Sequence, residues 1–364
     1  MKRSLKTLLF RQSFRSYISG HKYGYKVEAQ YRLLDFSRVL RKKDYAGRRF
    51  VVPFIQLLRF LRITNSKIAT LTLNQLPWNP PATTQSGSYS IYLLVGPRDL
   101  SIFLLSLSSL KTQLPPTSKH LTVVCPASIK VQIFEQIKGY LNSEIQIDIL
   151  TDEELLDHFN LNRNDFPNSH VFMQVAKFLL AIYSALPKSL VLDGDTLFLR
   201  SRIWDSGNSE MLVIPPEYEI THAEFSRSLL QLPRVSTLGY TTQSQLLSKA
   251  KVQELIVLLG GFESVTQKFG KAYLEYLAGI NTNQFPCEWQ LYGDWLRLID
   301  SSRISFVAYS NVSVSRDILK QRGLDLSNLE ETEAFIYEIQ SKYPEIGSLS
   351  FHHYKQNSTN IRGE

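Results

Sequence analysis

Asp193 and Asp195 stand one residue apart in a run that is otherwise apolar, Leu-Val-Leu-Asp-Gly-Asp-Thr-Leu-Phe-Leu from Leu190 to Leu199. A carboxylate is costly to bury without a partner. The pair therefore makes sense where a buried strand opens on a cleft, and Leu190 to Leu192, a short apolar run bounded by a turn signal, predicts that strand. There a divalent cation and its phosphate ligands would supply the missing positive charge and coordination. Asp-Gly-Asp is thus a candidate metal clamp, with a solvated turn as the plain alternative. Upstream, Gln174 and Lys177 are three apart in a helical stretch, Val171 to Ser184, and so share one helix face. Lys177 would either reach the cleft's phosphates as a point charge or carry its head out to solvent.

The elements that must position these groups follow from the hydrophobic pattern. Ile91–Val95, Leu121–Cys125 and Ile145–Leu150 read as strands, and Leu100–Leu110 and Ser128–Leu141 as the helices between them. Strands alternating with helices of this length predict an α/β domain with a mainly parallel sheet, whose ligand crevice lies beyond the carboxyl ends of the strands. No Gly-X-Gly-X-X-Gly follows the first strand and no Gly-Lys-Ser/Thr loop is present, which removes the main signal for dinucleotide oxidoreductases and P-loop nucleotidases.

The order Gln-X-X-Lys, helix, buried strand, Asp-X-Asp resembles the nucleotide-sugar-dependent glycosyltransferases of the GT-A fold. Within them it is most similar to one group of bacterial GT-A-like proteins, a domain family of unknown function. Phe285-Pro-Cys-Glu-Trp-Gln-Leu-Tyr-Gly293 carries the resemblance further. It is similar to that group's Ser-Glu-Tyr-Glu-X-Tyr-Gly pattern, with Cys287, Trp289 and Gln290 replacing Ser, Tyr and the second acid. The likeness spans Ser90 to Lys355 and implies a GT-A type, Rossmann-like sheet flanked by helices. It also implies Mn2+ or Mg2+ on Asp193 and Asp195, holding the diphosphate of a nucleotide sugar.

Further roles follow from the same resemblance. The end of the first strand would lie near the base and ribose, where Asp99 would accept a hydrogen bond from the nucleotide or else cap the next helix. Gln245, in the segment Tyr240–Leu258, would border the sugar pocket with Trp289 and Tyr292. Glu288, in its aromatic setting, is a candidate base toward an acceptor hydroxyl, a sugar ligand or a structural contact, with Asp294 as substitute base. His352 or His353 would return to the metal and Lys355 to the diphosphate. A neutral imidazole suits Mn2+ better than Mg2+. The implied reaction moves a sugar to a glycan or lipid-linked acceptor. Metal-dependent phosphoester or pyrophosphate hydrolysis, and a non-catalytic sugar-binding or scaffold protein, are the alternatives.

Composition bounds the rest. The 364 residues are 43% hydrophobic and carry a net charge of +8, but that charge is divided unevenly. Up to Lys67 there are 17 Lys and Arg against three acids, a net +14, while the remaining 24 bases and 30 acids leave the body at −6. Residues 1–78 therefore read as a basic, mostly helical extension, 79–89 as a Pro/Ser/Thr linker and 90–364 as the catalytic domain. The arm's apolar run, Phe50–Ile63, flanked by cations, fits the anionic inner face of the cytoplasmic membrane. A helix packed on the body is the alternative. A third reading is nucleic-acid binding, with the basic clusters on phosphates and Tyr17, Tyr23, Tyr25 and Tyr31 stacked on bases, but no recognised motif supports it. With two cysteines, no run long enough to span a bilayer and no signal-peptide cleavage site, the expected location is cytoplasmic.

Overall fold

The computed structural model describes residues 88–114, 120–138, 146–200, 204–205, 210–214, 219–232, 236, 239–300, 304–308, 311–315, 329–342 and 347–352. The basic arm and all but the last two residues of the linker lie outside them, as do His353 and Lys355 and the side chain of His352.

The first half of the domain alternates strand and helix. β1 (Ser90–Leu94), α1 (Leu100–Gln113), β2 (His120–Cys125), α2 (Lys130–Ile137), β3 (Gln146–Thr151) and α3 (Asp152–His158) lead to α4 (Ser169–Tyr183) and β4 (Lys188–Asp193). Then come β5 (Thr196–Phe198), β6 (Glu210–Ile214), α5 (Ile220–Leu229), β7 (Ser244–Ser248), α6 (Lys249–Leu258), α7 (Gly261–Leu277) and α8 (Glu288–Asp300). β8 (Ile304–Ala308), β9 (Asn311–Ser315), α9 (Leu329–Lys342) and β10 (Ser348–His352) complete the order.

The main sheet runs β3-β2-β1-β4-β7 and is parallel except for β7, which pairs antiparallel with β4. This is the mixed, mainly parallel sheet flanked by helices that the sequence predicts. The middles of its central strands, Ile91–Leu94 and Leu190–Leu192, are apolar at successive positions because both faces are covered. Tyr92, Leu94, Val191 and Leu247 face a core shared with α4, α6, α7 and α8, whereas Ile91, Leu93, Leu190 and Leu192 pack against Phe103, Leu107 and Ile133 of α1 and α2. α4 is buried along most of its length, and the Asn168 side chain caps it by accepting the Val171 N–H at 3.0 Å.

Two smaller sheets were not foreseen from the sequence. β10 returns from the far end of the chain to lie antiparallel to β5 and parallel to β9. A ladder of buried polar groups fixes it. Ser348 and Ser350 hydroxyls both donate to Asn311 Oδ1, at 2.8 and 2.9 Å, and Ser350 also meets Thr196 Oγ1 at 3.1 Å. β6 and β8 form a parallel pair. Gln245 ties β7 to that pair, accepting the Val213 N–H and donating to the Met211 carbonyl.

Candidate active site at the carboxyl end of the central strand

The parallel strands β1 and β4 end side by side, and the chain beyond β4 makes the Asp-Gly-Asp turn. Gly194 is required there. Its N–H donates to the Leu94 carbonyl at 2.7 Å, and a Cβ on residue 194 would lie 2.5 Å from that same oxygen. Close apposition of the two strand ends thus depends on a missing side chain, and it sets Asp193 and Asp195 at the sheet's carboxyl edge.

α4 precedes β4, so its first turns reach that edge. Lys177 does not snorkel. It is 6% exposed, with Nζ 2.9 Å from Asp193 Oδ1 and 2.6 Å from Glu288 Oε1, and it lies over the Trp289 ring at 4.6 Å from the centroid. Glu288 opens α8, so three separate elements meet at one ammonium. Burial alone would lower the Lys177 pKa, but Asp193 and Glu288 raise it above the ordinary lysine value. Burial pushes the Asp193 carboxyl up to about 6; Lys177 opposes this and Asp195 and Glu288 add to it. The cluster holds more carboxylates than cations, which is the electrostatic condition for taking up positive charge.

Asp195 follows on the other side of the turn, close enough for its charge to act on Asp193. Its backbone carbonyl accepts the Phe351 N–H at 2.9 Å, so β10 brings His352 to the residue next to that bond. Among the described residues, no group of three or more His, Cys, Asp or Glu side chains is placed to hold a metal. The two carboxylates flanking the turn are oxygen donors of the kind that a hard divalent cation takes.

The remaining expected residues are distributed as follows. Gln174 is buried one helical turn before Lys177 and bonds His170 through Nε2 at 2.7 Å. Its Oε1 and the Trp289 Nε1 are buried with no hydrogen-bond partner among the described residues. Asp99 lies just beyond β1, where Oδ2 accepts the Gly96 N–H at 3.0 Å. Gln245 spends its amide on β6. Tyr292 accepts the Ser248 N–H at 2.9 Å, and burial raises its pKa well above the usual value.

Asp294, also buried, accepts from Gln290 Nε2 at 3.0 Å; burial raises its pKa and the Gln290 bond opposes that. Gln290 accepts the Tyr240 N–H at 3.1 Å through its other atom. The position that lacks the resembled family's second acid needs an amide, because one side must accept and the other donate. Gly293 leaves room for the Tyr240 ring, which a Cβ would strike. Tyr292 and Gly293 therefore build the frame that presents Glu288, while Lys177, Asp193, Glu288 and Trp289 form the cluster itself.

Sequence reasoning passed over His170. The signal was present, since His170, Gln174 and Lys177 follow the spacing of one helix face.

Neither a protein-family model nor a curated protein matches the chain. Among solved structures it is similar to the glycosyltransferase GlyE of Streptococcus pneumoniae TIGR4, at 15% identity over 76% of this chain and 57% of that one, with a TM-score of 0.35. It is also similar to the galactosyltransferase LgtC in complex with donor and acceptor sugar analogues, at 12% identity over 72% and 86% of the two chains, TM-score 0.36. Mouse xyloside xylosyltransferase 1 in its apo form gives 12% identity over 72% and 96%, TM-score 0.39. The chain thus spans a little over half the length of the first of these.

Proposed function

We propose that the protein is a metal-dependent glycosyltransferase that moves a sugar, of the hexose type, from a nucleotide-diphosphate sugar to a glycan or lipid-linked acceptor. The observation that carries the reading is the convergence of Asp193, Lys177 and Glu288 at the carboxyl edge of the sheet, with Asp195 and the β10 terminus beside them. This is where an α/β sheet binds its ligand, and the order of motifs resembles that of GT-A enzymes.

Asp193 and Asp195 would hold Mn2+ or Mg2+, joined by His352 or His353; the ion would supply positive charge at the departing diphosphate. Lys177 adds a fixed cation at the same place and orients Asp193 and Glu288 toward each other. Lys355 is assigned to the diphosphate, and Gln174 and Asp99 to the rim of the donor site. Glu288 takes the acceptor's proton or binds a sugar hydroxyl, with Asp294 held in reserve behind Gln290. Trp289, Tyr292 and Gln245 shape the sugar side of the pocket, the last two through the frame that they brace. No helix among the described residues is long and apolar enough to cross a membrane. The basic arm, 1–78, is assigned to the inner face of a bacterial cytoplasmic membrane, where a lipid-linked acceptor would lie.

A thermal-shift panel of nucleotides and nucleotide sugars, with and without Mn2+, on wild type and Asp195→Ala, tests this. A stabilisation that needs the metal and vanishes in the variant is expected. Well-folded protein that shows no metal-dependent shift across the panel would leave a sugar-binding or scaffold role. Sugar release that ignores added acceptor would favour a hydrolase.

A further inference from the structure

Beside the charged cluster lies a group of rings that the chemistry above does not use. Phe285 is at its centre, three residues before Glu288. Tyr276 meets it edge-on at 4.8 Å between centroids, His170 lies at 5.3 Å, and Tyr273 and His222 at 5.6 Å each. His170 also stacks on Tyr273 at 5.2 Å.

Rings this close usually belong to a sealed core, but these do not. His170 is exposed, and Phe285, Tyr273, Tyr276 and His222 are each only half-buried. They come from the first turn of α4, the last turns of α7, the start of α5 and the segment entering α8. The backbone is pinned there, since the Phe285 N–H donates to the Thr221 carbonyl at 3.1 Å. The wall is therefore tied to α5, only partly covered, and continuous with the cluster, because His170 holds Gln174 one turn below Lys177.

Its charge selects the ligand. Desolvation of the ring nitrogens lowers the His222 pKa to about 4 and, although the residue keeps an exposed side, lowers that of His170 as well, so neither ring is a fixed cation near pH 7. A phosphate would find no cation among these five side chains. What they offer is ring faces, with hydrogen-bonding groups at their edges such as Thr241 Oγ1, which lies 2.9 Å from His222 Nδ1. A neutral sugar ring matches that combination, presenting a C–H face to the aromatics and hydroxyls to the rim.

We propose that Phe285, with Tyr273, Tyr276, His170 and His222 around it, is the acceptor platform, on which a neutral pyranose stacks beside Glu288. This rests on the transfer reading for the word acceptor, while the sugar-binding surface stands on its own geometry. The competing occupant is a nucleobase, which also stacks on aromatic rings. The wall is built from helices on the β4–β7 side of the sheet, whereas the nucleotide half of such a fold is assigned to the ends of β1 to β3.

The test uses methyl glycosides of the common hexoses as probes, followed by saturation-transfer NMR on wild type, Phe285→Leu and Tyr276→Leu. Leucine keeps apolar bulk, and a melting curve for each variant confirms folding. In parallel, a nucleoside diphosphate with Mn2+ is followed by thermal shift. Glycoside binding in the wild type, weakened about fivefold to tenfold in either variant, with the nucleotide shift unchanged, is the expected result. The half-exposed Tyr276 keeps the test informative should the Phe285 variant misfold. Absence of glycoside binding in the wild type, or equal binding in folded variants, overturns the proposal. So does a nucleotide shift lost in folded variants, which would assign the wall to the base. Glycoside binding in a wild type that shows no nucleotide shift would sink the transfer reading and uphold the platform as the site of a sugar-binding protein.

Discussion

Lys177 Nζ sits 2.6 Å from Glu288 Oε1, joining two side chains 111 residues apart in a pocket where both are almost wholly buried. That single contact docks the first residue of α8 onto the middle of α4 and holds Glu288 in line with the end of β4.

Removing one member of a buried charge cluster leaves the others uncompensated. Lys177→Met should cost about 3–5 kcal/mol of folding stability. Lys177→Met combined with Glu288→Gln should cost less than the two single changes added together. Urea denaturation of the four proteins in the cycle reads this directly, and additivity would show that the pair is not energetically coupled.

Gly194→Ala places a methyl against the Leu94 carbonyl that residue 194 must approach. A loss of about 1–3 kcal/mol is expected and, on the proposed function, loss of any metal-dependent nucleotide shift, because the strand ends that carry Asp193 and Asp195 are forced apart. A variant with an unchanged melting temperature and an unchanged shift would mean that the turn can open without harm.

Gln290→Glu puts a second carboxyl 3.0 Å from Asp294 and removes the donor that Asp294 uses. Two acids at that distance cannot both ionise in a buried site. We expect a loss of about 1–3 kcal/mol at pH 7, where the folded protein must keep a proton that the unfolded chain has released, and a smaller loss as the pH falls toward 5. Melting curves across that range decide it; an equal loss at both pH values points instead to the Tyr240 contact.

Asn311→Ala leaves the Ser348 and Ser350 hydroxyls without their shared acceptor and should destabilise the β10 sheet by about 1–3 kcal/mol. On the proposed function it also weakens the metal-dependent shift more than it lowers the melting temperature of the free protein. Hydrogen exchange at Phe351 reports whether β10 has loosened.

His222 supplies a pH dependence with a definite sign. Burial holds its pKa near 4, below its usual value, so the folded protein binds fewer protons than the unfolded chain between pH about 6.5 and 4. Its contribution is complete above that window and is lost as the pH falls through it, by about 3 kcal/mol in all. His222→Gln should flatten that part of the stability profile. An unchanged slope would place the acid sensitivity elsewhere.

Much of the strand-and-helix half could be read before folding. The βα alternation set the sheet, and Asp193, Asp195, Lys177 and Glu288 stood out as polar groups in apolar surroundings. What spacing does not disclose is which of them meet, because the Lys177 and Glu288 partnership is made by tertiary packing. The role of Gln290 was hidden for a related reason. An amide that must donate to one neighbour and accept from another looks, in a linear chain, like an acid gone missing. Asp99, Gln245 and Tyr292 show the reverse. Their types suit a binding site, and the fold gives each a backbone partner. β10 and its hydroxyl ladder were out of reach, since short strands rich in serine carry little periodic signal.

The return of β10 to β5 also bears on how the protein comes into being. Ser350 meets Thr196 across 154 residues, so the edge next to Asp195 is a contact of high sequence separation, slow to close once the chain begins to collapse. During synthesis, which delivers a chain from its amino end, the Asp-Gly-Asp turn leaves the ribosome long before its neighbouring strand exists. Activity that depends on this edge would switch on only once Ser348 to His352 had emerged, and a chain stalled before Ser348 would have most of its main sheet but not the strand beside Asp195.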